Sequence, residues 1–278
     1  DTGQLSITTN LSGFNSPIDD DGGNNLSWDL RADGSDVVVN DDSLAALRTF
    51  PIGKKLVEAL RPTAGYGNIS LYLKNPSSPD GIAEVDLAMR GVKMAFHGLG
   101  NNADRFGFPF AMEQASGHVR LRDKILLFED VNASIPATAG GGKVTLEGRI
   151  DLRQPPGENT SFDIHGDSIQ FTDDLADALA TLLKDEGELY RKFAPSGRAE
   201  VHVLVRPKSE LPGGFLVEIK PREAAMRWEG FPYDLTSLRG SVRVRHNNAR
   251  FDLTGRHNGG GLTMRCRIPL RQDHNINE

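Results

Sequence analysis

The residues best able to do chemistry in this 278-residue chain do not assemble into a known reactive pattern. Asp19-Asp20-Asp21-Gly22-Gly23-Asn24-Asn25 offers closely spaced carboxylates on a turning backbone, as hard cations prefer, but no bidentate Glu follows at calcium-loop spacing. A solvated turn is expected there. None of His118, His165, His202 and His246 has a partner at i+2 or i+4 with a third ligand close in sequence, so each is read as a polar-face residue. Ser/His/Asp hydrolysis lacks its G-x-S-x-G elbow. The triple glycines at 140 and 259 precede neither a GK[ST] nor a helix, and are read as hairpin turns rather than phosphate loops. Cys266 is the single cysteine, which excludes an internal disulfide and a thiolate cluster; its place on an apolar strand face predicts a buried, inert thiol. No catalytic residue, metal ligand or cofactor is expected, and the chain is read as non-enzymatic.

The elements around these residues are more informative. Thirty glycines, fifteen prolines and 7% aromatics predict many turns and therefore many strands. The net charge of -6, with Lys and Arg interleaved with Asp and Glu, argues against a nucleic-acid partner. No apolar run reaches the roughly 18 residues a membrane helix needs. The start at Asp1, already close to a strand-like stretch, is read as that of a piece of a longer polypeptide.

Self-similarity runs through the chain. WDLRADGSDVVVNDDSLAALRTF from Trp28 answers to FDIHGDSIQFTDDLADALATLL from Phe162, and Pro62 answers to Pro195. Phe108 and Phe231, Gly117 and Gly240, and Phe128 and Phe251 lie 123 positions apart, with FPFAM and FPYDL at the same point of each copy. The expected domains are 1–152, with a helical insert near 42–60, and 153–278, with a helical insert near 173–193.

Strands within each copy alternate with period two, which puts one residue class on each face. Leu262, Met264, Cys266 and Ile268 oppose Thr263, Arg265 and Arg267; Val144, Leu146 and Ile150 oppose Thr145, Glu147 and Arg149. Short turn signals favour antiparallel neighbours. Phe-Pro is expected to end one strand and re-aim the next. The segments DDSLAALRTF, IGKKLVEAL and TDDLADALATLLKD are amphipathic helices, with an Asp/Ser cap on the first and Asp174 or Thr172 on the last. The fold expected is mainly β with helical insertions: two tandem antiparallel meanders forming a curved, elongated sheet, the alternative being two β-sandwich-like domains joined flexibly near 153–161.

The blocks GHVRLRDKILLFEDVNASIPATAGGGKVTLEGRIDL and LRGSVRVRHNNARFDLTGRHNGGGLTMRCRI resemble the periodic units of AsmA-like and TamB-like bacterial envelope proteins. That resemblance implies a repeating β-groove carrying lipid, in the periplasm, as part of an inner-membrane-anchored protein. Its partners would be lipid or another hydrophobic ligand, neighbouring parts of the same longer chain and other envelope proteins. The apolar alternators are the expected groove lining: Val119, Leu121, Val144, Leu146, Val217, Ile219, Val242, Val244, Phe251, Leu262 and Met264. The other function class, tied to the sandwich alternative, is a structural or adhesive module of a long surface protein.

Overall fold

The computed structural model describes residues 4–12, 27–49, 51–75, 81–99, 106–155, 157–182, 190–245 and 248–270. Among these residues, thirteen strands form a single open antiparallel sheet in which every strand pairs with its neighbours in sequence. They are β1 (Gln4–Ser12), β2 (Ser27–Val38), β3 (Ala64–Lys74), β4 (Ile82–Leu99), β5 (Phe106–Arg122), β6 (Ile125–Ser134), β7 (Lys143–Asp151), β8 (Thr160–Gln170), β9 (Ser196–Val205), β10 (Phe215–Trp228), β11 (Phe231–Arg245), β12 (Asn248–His257) and β13 (Gly260–Pro269). Helices α1 (Asp41–Arg48) and α2 (Pro51–Leu60) stand between β2 and β3, and α3 (Asp173–Leu182) between β8 and β9. The sheet is continuous across 153–161, with β7 and β8 in unbroken register from Lys143↔Asp167 to Ile150↔Thr160. Two separate sandwich-like domains therefore do not form: the short link leaves β8 beside β7, where antiparallel pairing is the shortest way to satisfy both backbones.

The order strand, helical insert, five strands occurs twice, as β2–β7 and β8–β13. Backbone irregularities recur with it. Left-handed residues stand in corresponding pairs at Asp36 and Ser168, Arg61 and Ala194, Gly65 and Gly197, Gly91 and Glu223, Gln114 and Ser237, and Gly117 and Gly240. The β4–β5 and β10–β11 hairpins also share their register shifts, between Met89 and Val92 in one and between Ile219 and Ala224 in the other.

Phe-Pro does not end a strand, contrary to the sequence expectation. Phe96↔Phe108 is followed by Ala95↔Ala111, and Trp228↔Phe231 by Arg227↔Asp234, so each proline sits in a two-residue bulge inside its hairpin. A bulge has no ladder bond for the missing proline N–H to break. Tight turns behave as read at Asp123-Lys124 and Asn258-Gly259, two-residue links with positive φ at both positions. The glycines at 140 differ from the hairpin expected. They close a longer connection, 135–142, that begins with a 3-10 turn at Ala137–Ala139.

Helix caps follow local chemistry. Asn40, one residue before the expected cap, accepts from Ser43 N at 2.9 Å, and Ser43 Oγ accepts from Asn40 N at 3.1 Å. Thr172 Oγ1 accepts from Leu175 N at 3.2 Å and caps α3. Both helical inserts lie on the apolar face: α2 packs on β4, and α3 packs on β5 of the preceding half.

Candidate functional site

The alternation read in the sequence decides which side chains meet on the inner face. Val144 and Leu146 are half-buried and Ile150 is buried, whereas Thr145, Glu147 and Arg149 are exposed on the outer face. Curvature then brings distant strands together. Phe96 on β4, Phe128 on β6 and Phe162 on β8 form a mutual edge-to-face cluster, with centroids 5.4–6.3 Å apart. On a flat sheet β4 and β8 would be about 19 Å apart, at about 4.8 Å per strand. The far half of the β4–β5 hairpin, beyond the left-handed Gly91, therefore folds back over the inner face.

Under this hairpin, α2 and α3 lies a trough of about 1210 Å³. Its floor is the inner face of β5–β10, crossing from the first set of strands into the second. Phe96, Phe110 and Met112 from the hairpin, Leu56 from α2, and Leu175 and Leu179 from α3 complete its walls. No polar or charged residue is buried among the described residues. The turn-side rim is polar, with Gln154, Asn159, Arg206 and Lys208. Nearby, paired hydrogen bonds from Arg153 hold the Asp151 carboxyl down at about 2. Arg206 Nη1 donates to the carbonyls of Phe162 and Val205 at 2.9 and 2.8 Å, which fixes its guanidinium at the rim.

The residues expected to line a groove divide into groups. Val119, Val144, Leu146, Val217 and Ile219 line the trough. Leu121 is buried at 3% exposure in the first core cluster, outside the lining. Val242, Val244, Phe251, Leu262 and Met264 lie outside the lining, in an apolar cluster around Phe193 that shares Val217 and Ile219 with the trough; the Phe193 ring stacks on Phe251 at 4.7 Å. The hairpin residues Met94, Phe96, Phe110 and Met112 were missed, although Val92, Met94 and Phe96 alternate as clearly as any strand chosen. Cys266 is exposed rather than buried, because β13 is the last strand and no further strand or helix among the described residues covers its inner face.

The outer face is charged. Arg243 donates to Glu218 at 3.0 and 2.9 Å, which lowers the Glu218 pKa, and Arg265 pairs with Asp252 at 3.3 Å. Arg243, Arg250 and Arg267 stand directly across from one another on β11, β12 and β13. The outer face also unites residues the sequence reading kept apart. Asp163 and His165 on β8 meet His202 on β9, with His165 directly opposite His202. Spacing along the chain could not reveal this group, because its third member comes from the neighbouring strand. The segment 19–25 and His246 lie outside the described residues.

No family profile, no curated protein and no solved structure matches the chain.

Proposed function

We propose that the chain is a non-enzymatic lipid-binding or lipid-conducting segment of a larger bacterial envelope protein. In this reading two copies of a β-meander with a helical insert make one β-groove, in the periplasm, within an inner-membrane-anchored protein similar to the AsmA-like and TamB-like proteins. The observation that carries it is the trough: an apolar floor running without interruption from β5 to β10, roofed by helices and a folded hairpin. Its volume exceeds the roughly 300–1,000 Å³ of ordinary small-molecule pockets and suits a long flexible chain better than a compact ligand. Burial of methylene groups at about 25 cal/mol per Å² supplies affinity without any specific polar contact. The polar rim at Gln154, Asn159 and Lys208 gives a head group a wet exit. Neighbouring parts of the same longer chain and other envelope proteins are the partners that go with this reading.

Site-specific photocrosslinking in cells tests it. A photoreactive residue at Val144 or Ile164, on the trough floor, is expected to capture lipid, and one at Thr145, on the outer face, is expected to capture none. Equal labelling at all three, or none at any, would contradict the reading.

A further inference from the structure

We propose that Asp163, His165 and His202 form a binding site for a divalent transition metal of the zinc class on the outer face of the sheet. Nε2 of His165 and Nε2 of His202 lie 3.0 and 2.8 Å from the same oxygen, Oδ1 of Asp163. All three ligand atoms fall within 4.8 Å of one another. An ion bound at about 2.0–2.1 Å to nitrogen and oxygen sets its ligands roughly 3.0–3.4 Å apart, close to the nitrogen–oxygen spacings here, and the imidazoles turn out of their stack to aim both Nε2 lone pairs at it.

The backbone preorganises the group. His165 and His202 are a direct cross-strand pair, and their rings stack with centroids 4.1 Å apart and planes 9° apart. Asp163 is two residues before His165 on the same face of β8, so no loop has to move. Arg206 lies 3.9 Å from the other carboxylate oxygen, Oδ2, and leaves Oδ1 turned toward the imidazoles. Glu147, exposed on β7 and directly opposite Asp163, is placed to supply a fourth oxygen; otherwise water completes the shell. Two imidazoles and a carboxylate with an open position are the donor set of zinc rather than of magnesium, which takes oxygen ligands.

The same sheet position in the first half needs none of this. There Asp33 is opposite Ser70, and Ser70 Oγ donates to Asp33 Oδ1 at 2.7 Å. Asp33 and Ser70 stand where the second half has His165 and His202, and Arg31 stands where it has Asp163, so a carboxylate–hydroxyl pair takes the place of the two imidazoles. Among the described residues, only the second half carries the metal-ligating set.

Titration of the tag-free protein with ZnCl₂ by calorimetry, and with CoCl₂ by visible absorption, decides the matter. One ion per chain is expected, with cobalt d–d bands of a nitrogen–oxygen site and no competition from MgCl₂. His165→Ala and His202→Ala are each expected to weaken binding at least about tenfold, and Asp163→Asn to weaken it as well. Zinc should raise the melting temperature of the wild type and not that of His202→Ala. His202→Gln replaces the alanine variant if the latter melts lower without metal. Failure of the wild type to take up zinc, or uptake unchanged in the histidine variants, would overturn the proposal. Neither result bears on lipid in the trough, which lies on the opposite face.

Discussion

Gly117 and Gly240 hold φ of +129° and +112°, and a Cβ on them would come within 2.6 and 2.1 Å of the carbonyl oxygens of Asp130 and Asp252 on the next strand. No side chain fits that approach. Gly240→Ala is expected to cost about 1–3 kcal/mol, seen as a lower urea midpoint at unchanged slope; a midpoint equal to the wild type would contradict the geometry. Tyr190, at the trough wall, donates to Thr172 O at 3.1 Å, and burial, aided by Asp173, raises its pKa well above the usual tyrosine range. The unfolded chain releases this proton above about pH 10 and the folded chain retains it, so stability falls as pH climbs past 10. Tyr190→Phe is expected to lose about 1 kcal/mol at neutral pH but to show a shallower alkaline decline. Parallel pH profiles for the two proteins would contradict this. At this scale the sequence was legible in pattern only. The glycines could be seen to recur, but the close strand that requires them could not, and the Asp163–His165–His202 group depends on a register that spacing does not encode.

The strands and their turns were the most legible level, because period-two alternation and Asn-Gly or Asp-Lys punctuation are local properties. Val242 and Val244 face inward and Arg243 and Arg245 outward, as the alternation dictates. The fold-back of the β4–β5 hairpin was illegible, since it goes with the left-handed turn at Gly91 and with bulges whose effect depends on the partner strand. An unusual feature also appears here. Arg243, Arg250 and Arg267 make a cross-strand row of like charge, relieved among the described residues where Glu218 binds Arg243. Like charges directly opposite destabilise a sheet by a few tenths to about 1 kcal/mol. Arg250→Thr should therefore raise thermal stability, with the gain shrinking in high salt as screening takes over. A loss of stability, or a gain indifferent to salt, would show that the row is not repulsive.

Across the whole molecule, the two halves are tied together by more than the β7–β8 ladder. Phe110 of the β4–β5 hairpin, Ile135 and Ala139 share a cluster with Ile169, Leu175 and Ala178, so α3 of the second half packs on the first. Phe110→Ala is expected to cost about 3–5 kcal/mol and to split one cooperative thermal transition into two; a single, slightly shifted transition would contradict that coupling. The recurrence of elements was readable from the sequence, but the interlock was not, because nothing in the α3 pattern says which strands its apolar side meets. That interlock also roofs the trough, and the proposed function rests on what the trough holds. Native mass spectrometry of protein purified from bacterial envelopes without detergent exchange tests this most directly. The wild type should carry a stoichiometric lipid adduct, and a folded Val144→Arg/Ile164→Arg variant should carry none. A wild type that flies lipid-free and gains no mass when offered phospholipid would contradict the account.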